Sequence, residues 1–227
     1  MIPAWRRLRA HAAFPWVAPF VLFLLLLAIV PRMPLGLWDQ PLQALILAAS
    51  LWIFSRPVID LGVSRPAMST LLGAAVFALW VAPDLLWPGY RAHWLFSNVL
   101  TGPSAGTLPA GFASSPMAIA SRAVRAVLLA PVIEELFWRG WLMRWIVRSD
   151  FERLPLGAYS PRAFWLTAVL FASEHGSFWA VGLLAGIAYN WWIVRTRRLG
   201  DCILAHAVTN GLLAAYVVAG SRWEYWL

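Results

Sequence analysis

The chain has 227 residues, of which 61% are hydrophobic and only 12% are charged. A soluble domain is usually about 25% charged, so this chain has too few charges to cover a water-facing surface. The composition excludes a disordered chain and a coiled coil, and one cysteine, Cys202, is too few for a disulfide-stapled secreted domain. The net charge is +8, and all 18 basic residues are Arg.

The apolar stretches predict an all-α fold: a polytopic transmembrane bundle of about seven helices, in one domain covering residues 1–227. A helix needs about 20 mostly apolar residues to cross a bilayer. In chain order the predicted spans are Phe14–Val30, Pro41–Ser55, Ala67–Trp87, Met117–Val147, Ala163–His175, Ser177–Val194 and Cys202–Ala219. Pro83 and Asp84 are expected to interrupt the third span. No small-residue cleavage site follows the first apolar stretch, so we expect it to be retained.

The placement of Arg predicts the orientation in the membrane, because cytoplasmic connections carry an excess of basic residues. Arg-rich connections alternate with Arg-poor ones. The rich ones hold Arg6, Arg7 and Arg9, then Arg56 and Arg65, then Arg144, Arg148, Arg153 and Arg162, and last Arg195, Arg197 and Arg198. This pattern predicts a cytoplasmic N-terminus in the inner (plasma) membrane. Topology explains the basic charge, so we expect membrane lipid as a partner and no nucleic acid.

Ionisable groups inside the fourth span are the strongest functional signal, because such groups are costly in a bilayer. Glu135 and Arg139 are four residues apart and share a helix face, so they can neutralise each other. Glu134 points about 100° away from that pair. It is free for chemistry or for a second partner. The alternative is that all three side chains form a packing network.

Two further spans carry polar pairs at helical spacing. His175 follows Phe171 by four residues, and Asn210 follows His206 by four, so each pair projects from one face. For His175 alone, a core residue bonded to a backbone carbonyl is the plainer interpretation. His206 and Asn210 could equally form ordinary helix–helix hydrogen bonds. His206 would lie only about 6 Å into a helix that begins at Cys202.

Taken together, these side chains support two kinds of chemistry. Glu134 with His175 can activate a water as a general base, and His206 with Asn210 can donate hydrogen bonds to an oxyanion. Alternatively, Glu134, His175 and His206 are competent zinc ligands that would lower the pKa of a bound water. The chain contains neither HExxH nor GxSxG. The residues alone leave both alternatives open.

The three motifs, in this order, resemble those of a known family. EELFWR at Glu134–Arg139, FASEH at Phe171–His175 and HAVTN at His206–Asn210 match its EExxxR, FxxxH and HxxxN signatures. The family is the CAAX-protease and bacteriocin-processing family of intramembrane proteases, also called Abi or type II CAAX prenyl endopeptidases. The resemblance covers about residues 116–219. Residues 14–87 provide three additional spans.

This resemblance implies an intramembrane (metallo)endopeptidase that cleaves a membrane-associated or secreted protein or peptide. The implied roles are water activation by Glu134 and His175, an oxyanion hole of His206 and Asn210, and structural support from Glu135, Arg139 and Phe171. The family is classed with metallopeptidases, which implies zinc or another divalent metal. The all-Arg basic content is typical of a GC-rich bacterial genome. Among bacterial members, the resemblance suggests the prenyl-protease-related subgroup that accompanies exosortase systems.

Two other classes of function stay open at this stage. One is a non-catalytic membrane scaffold or immunity protein with the same fold. The other is a small proton-coupled transporter that uses Glu134 and the His residues as a relay. A transporter more often shows internal pseudo-symmetry, and this sequence shows none.

Overall fold

A computed structural model describes residues 11–102 and 108–226. Its main helices are α1 Phe14–Ile29, α2 Asp39–Ser50, α3 Pro66–Leu86, α4 Pro116–Trp145, α5 Pro161–Ser173, α6 Trp179–Thr196 and α7 Leu199–Gly220. The described residues contain no β-strand, so the predicted all-α bundle is confirmed. Arg6, Arg7 and Arg9, which contribute to the predicted orientation, lie outside the described residues.

Six helical segments are long and apolar enough to cross a bilayer. They are Phe14–Arg32, Gly36–Val58, Pro66–Leu86, Pro116–Trp145, Gly176–Thr196 and Leu199–Gly220. The predicted fifth span corresponds to α5, which has only 13 residues and is about 20 Å long. A bilayer core is about 30 Å thick. Helix α5 is therefore shorter than a full span, and His175 lies in the turn that follows it.

Helix α3 does not break at Pro83 and Asp84, where the sequence predicted an interruption, but runs on to Leu86. The Asp84 carboxylate accepts hydrogen bonds from Arg91 Nε at 3.0 Å and from the Tyr225 hydroxyl at 2.8 Å. These partners satisfy the buried charge, so the helix tolerates it. Burial, together with the hydrogen bond to Asp84, raises the pKa of Tyr225 above its ordinary value, which keeps the phenol protonated as a donor.

Helices α3 and α7 pack closely through small residues. A Cβ at Gly73 would lie 2.8 Å from Cβ of Val208, so only glycine fits this crossing. The Gly73 carbonyl accepts a hydrogen bond from the Thr209 hydroxyl at 2.8 Å, as is common where small residues let membrane helices approach. Helix α7 begins at Leu199, three residues before the predicted start. This lengthening moves His206 about 10 Å into the helix.

Asp201 connects the start of α7 to the start of α3. Its buried carboxylate accepts hydrogen bonds from the Ser64 amide and hydroxyl at 3.1 and 2.6 Å and from the Arg65 amide at 2.8 Å. The Ser69 hydroxyl donates a further bond at 3.0 Å. One carboxylate thus satisfies the backbone donors at the start of α3.

We predict that Asp201→Ala destabilises the bundle by about 2–3 kcal/mol, because it leaves several donors without an acceptor. The expected change in detergent is a fall of about 5–10 °C in the thermal unfolding midpoint. The matched control is Asp60→Ala, since the Asp60 carboxylate is exposed and its ion pair with Arg198 at 3.5 Å is a surface pair worth at most about 1 kcal/mol. Equal midpoints for the two variants would contradict this role for Asp201.

Candidate active site

The four predicted site residues come together around one cavity. It has a volume of about 120 Å³, enough for several waters, and Glu134, His175, His206 and Asn210 all line it. They arrive from α4, from the turn after α5, and from α7. The rest of the lining is largely apolar and aromatic, as in most ligand cavities. Helix spacing within each motif could not by itself predict this convergence.

Glu134 and Glu135 occupy a short α-helical turn, Ala130–Glu135, between two π-helical turns of α4. Those π turns are Arg125–Leu129 and Leu136–Leu142. Such turns often occur at functional sites. Glu134 is only 8% exposed, and its Oε2 is buried with no hydrogen-bond partner within the described chain. A buried carboxylate oxygen without a protein partner is suited to bind a water or a substrate proton in the cavity.

His175 is held in one ring orientation. Its Nδ1 lies 2.7 Å from the Phe171 carbonyl oxygen, to which it can only donate. This contact leaves Nε2 as the nitrogen that can accept a proton. The ring packs edge-on against Trp80 at 5.3 Å and beside Phe171 at 4.6 Å. The contact with the carbonyl agrees with the interpretation of His175 as a core residue. The ring also lines the cavity, however, so it can take part in chemistry there.

The Glu135–Arg139 pair predicted from the sequence is present and extends to His206. The Arg139 Nη1 donates to Glu135 Oε1 at 3.1 Å, and both side chains are fully buried. The same oxygen lies 3.0 Å from His206 Nδ1. Glu135 therefore joins the structural pair to a cavity residue. The contact between Glu135 and His206 was not predicted, because it joins α4 to α7 and the spacing of residues within one helix cannot predict contacts between helices.

Arg139 is fully enclosed by hydrogen-bond acceptors and aromatic rings. Its Nε donates to Asn190 Oδ1 at 3.0 Å, and its Nη2 donates to the Gly186 carbonyl at 3.3 Å. The guanidinium carbon lies 4.6 Å from the Phe171 ring centroid, a cation–π distance. Removal of one partner from a buried ion pair typically costs about 3–5 kcal/mol. These contacts indicate that Arg139 and Phe171 hold α4, α5 and α6 together.

Asn210 is positioned by an irregularity of α4. In the π turn before Ala130, carbonyls bond to the amide five residues on, as Arg125 does to Ala130. The next carbonyl, that of Ala126, would need the amide of Pro131, which has no N–H. The Asn210 Nδ2 donates to this carbonyl at 2.8 Å. One amide hydrogen of Asn210 is thus used, and the other is left for the cavity.

The arrangement does not form a ready metal site. Among residues 11–102 and 108–226, no group of three or more His, Cys, Asp or Glu side chains is placed to hold a metal ion. The predicted set of Glu134, His175 and His206 shares a cavity without the geometry of common ligands. The prediction of zinc or another divalent metal stays a prediction.

Several residues around the site were missed by the sequence analysis. Tyr189 stacks on the His206 ring at 5.1 Å and hydrogen bonds to Thr209 at 2.8 Å. Asn190 accepts from Arg139, as described above. Arg122 and Arg125 lie inside the span of α4. Ionisable groups inside a bilayer are costly whether they are Arg or Glu, so the same argument that singled out Glu134 could have singled out Arg122 and Arg125.

Residues 116–212 match the family model described as Type II CAAX prenyl endopeptidase Rce1-like. No curated protein and no solved structure gives a significant match to the chain. The family suggested by the three motifs is confirmed over this segment. The six apolar helices indicate a multi-pass membrane protein, and the matched segment is similar to a family of CAAX intramembrane proteases.

The first test of this cavity uses the glycine that faces His175. A Cβ at Gly182 of α6 would lie 3.1 Å from Cγ of His175, so the ring must move by a few tenths of an ångström. We predict that Gly182→Ala lowers turnover by about tenfold, because a 1 Å misplacement can cost about 10²-fold. Gly211→Ala is the matched control, since its new Cβ meets only Val127 at an ordinary 3.6 Å.

Both substitutions add one methyl group to a helix, so helix propensity changes equally. Turnover of a cleaved peptide and the thermal midpoint in detergent are measured for both variants. The same turnover in both would show that the His175 ring position is not important for activity.

Proposed function

We propose that this protein is an intramembrane endopeptidase in which Glu134 and His175 activate the hydrolytic water. The observation that carries the proposal is the shared cavity of about 120 Å³, lined by an acid, two imidazoles and an amide. Amide hydrolysis needs an activated water and stabilisation of charge on the carbonyl oxygen. Few other side chains along this cavity could supply either requirement.

Water activation would use two acceptors. Glu134 contributes a buried carboxylate oxygen that no protein donor occupies. His175 contributes Nε2, because its Nδ1 hydrogen is committed to the Phe171 carbonyl. A water between the two would be oriented by one group and would give its proton to the other. The same groups can then return a proton to the leaving amine.

The oxyanion would be held by Asn210 and His206. Asn210 has one free amide hydrogen, and its position is fixed by the bond to Ala126. His206 can donate from Nε2 only as an imidazolium, since Nδ1 already faces Glu135. Glu135 Oε1, 3.0 Å from Nδ1, fixes the orientation of the His206 ring. Glu135 is thus a positioning residue in this proposal, and Arg139 holds it in place.

We also propose a setting and a substrate class. The Arg pattern supports an inner-membrane protein with the N-terminus in the cytoplasm, and the all-Arg basic content supports a bacterial source. The proposed substrate is a membrane-associated or secreted protein or peptide. A prenylated substrate is not required by this mechanism. The apolar lining of the cavity favours a peptide with apolar side chains near the cleaved bond.

The decisive variant is Glu134→Gln, which keeps the size of the side chain and removes its basicity. We predict that it lowers cleavage of a co-reconstituted membrane-peptide library by about 10²–10⁴-fold, the usual contribution of a general base. The matched control is Glu152→Gln, because Glu152 is exposed in the connection after α4. Equal cleavage by the wild-type protein and Glu134→Gln would refute the mechanism.

Two further arms separate the alternatives. In the first, a chelator is added to the wild-type protein. Full inhibition that zinc reverses would indicate that Glu134, His175 and His206 are metal ligands instead. If no peptide is cleaved, but the wild-type protein carries a proton flux into liposomes that Glu134→Gln abolishes, a proton relay explains the site better. If neither activity exists, the scaffold alternative stands.

The proposed orientation has its own test. Single cysteines are introduced at Arg153 and at Ser114, both exposed, in a Cys202→Ser background. We predict that an impermeant thiol reagent added outside whole cells labels the cysteine at position 114 and not the one at 153, because Arg153 lies in an Arg-rich connection. Labelling of position 153 alone would show that the orientation in the membrane is opposite to the proposed one.

A further inference from the structure

The turn that carries His175 depends on contacts from outside its own helix. Helix α5 ends at Ser173, and His175 comes just before the 3-10 turn Gly176–Phe178. The bond from His175 Nδ1 to the Phe171 carbonyl relates the imidazole to α5 alone. Glu134 lies on α4, and both groups must meet one water in the proposed mechanism. Because the chain leaves the regular helix before His175, other elements have to fix the turn.

Two aromatic side chains connect this turn to α3. Trp80 of α3 lines the active-site cavity, and its ring meets the His175 ring edge-on, with the centroids 5.3 Å apart. Phe178 stacks on Trp80 with the centroids 5.9 Å apart, within the usual range for aromatic pairs. The Phe178 amide also donates to the His175 carbonyl at 2.9 Å. Phe178 therefore contacts the backbone of the turn and the ring that packs on the imidazole.

Phe178 is held in turn by a buried ion pair. The Arg91 guanidinium carbon lies 4.4 Å from the Phe178 ring centroid, a cation–π distance. Arg91 Nε donates to Asp84 at 3.0 Å, and the two side chains are 10% and 9% exposed. Tyr225 stacks on Phe178 at 5.6 Å, and its hydroxyl donates to the same carboxylate at 2.8 Å. Asp84 therefore joins two groups that both contact the Phe178 ring.

These side chains form one connected group, which we call the aromatic clamp: Trp80, Asp84, Arg91, Phe178 and Tyr225. Asp84 follows Trp80 by four residues, so α3 presents both from one face. Every member except Phe178 lies outside residues 116–212, the segment that matches the family model. The three sequence motifs therefore do not account for the clamp. It also gives α3 a direct connection to the site, whereas the sequence predicted only an additional span there.

We propose that the aromatic clamp positions the His175 imidazole for water activation by fixing the turn that carries it. This inference rests on the proposed function, since it needs His175 to take part in the reaction. Only Trp80 of the clamp lines the active-site cavity, so the other members act through His175 and do not touch the reacting atoms. A misplacement of 1 Å can cost about 10²-fold in rate. Loss of the clamp should therefore lower turnover without weakening substrate binding.

The main variant is Phe178→Leu, which removes the ring on which the other clamp groups meet and keeps an apolar side chain. For one peptide that the wild-type protein cleaves, we expect kcat to fall about tenfold and KM to change by less than about twofold. Phe178→Tyr keeps the aromatic face and should keep most of the turnover. The matched control is Phe14→Leu, because Phe14 is also half-buried and packs edge-on against Phe54 at 5.2 Å, but is not part of the clamp.

A second measurement reads the imidazole without turnover. In the structure Nδ1 of His175 holds the hydrogen donated to the Phe171 carbonyl, so the neutral ring should be a single tautomer. Nitrogen NMR of histidine-labelled protein in lipid at alkaline pH distinguishes the two tautomers, and His175→Gln identifies the signals. Phe178→Leu should add the second tautomer, whereas Phe14→Leu should not. Tyr225→Phe removes only a hydroxyl and should give the same change, so it serves if Phe178→Leu fails to fold.

An active protein must show both changes in the clamp variant. A single His175 tautomer, an unchanged kcat, or equal effects in Phe14→Leu would each overturn the clamp. A higher KM with the same kcat would also overturn it, because Phe178 would then act on substrate binding. If the wild-type protein cleaves no peptide, the proposed protease mechanism fails. The tautomer measurement still decides in that case whether the clamp holds the imidazole, so the two failures are distinguishable.

Discussion

The buried carboxylate of Glu135 is the interaction on which the rest of the site depends. It receives Arg139 from one side and faces His206 on the other, so one anion joins the structural frame of the bundle to a cavity residue. A carboxylate with no exposed surface is very costly unless it is paired. The pairing is therefore needed for folding, and His206 is placed by the same contact. Stability and site geometry cannot be altered independently at this position.

A second constraint comes from a missing hydrogen bond. Pro131 cannot donate to the Ala126 carbonyl, and α4 responds with a π turn rather than a sharp kink. Asn210 then bonds to that carbonyl from α7. In lipid a backbone carbonyl must be satisfied inside the protein, so a donor from another helix is strongly favoured. A proline one turn before the two Glu residues thus contributes to placing an amide on the opposite wall of the cavity.

How much of this could be read from the sequence depends on whether a relation lies within one helix or between helices. Apolar length predicted the helices, and i,i+4 spacing predicted the Glu135–Arg139 pair. Spacing could not predict the contact between Glu135 and His206, because it depends on how α4 and α7 cross. The predicted end of the fifth span at His175 was two residues too late, since α5 ends at Ser173 and His175 lies in the turn that follows. Arg122 and Arg125 were overlooked, although their position inside an apolar span was visible.

Three neighbouring cavities share walls along α4, and charged side chains lie at both ends of the series. Glu134 carries a carboxylate oxygen without a protein partner at one end. Arg122 and Arg125, with Asp39 on the same wall, lie about 13 Å away along α4. In a medium of low dielectric, charges at that separation still interact appreciably. Glu134 and the two Arg side chains therefore attract one another along the helix, and this attraction offsets part of the cost of burying each of them.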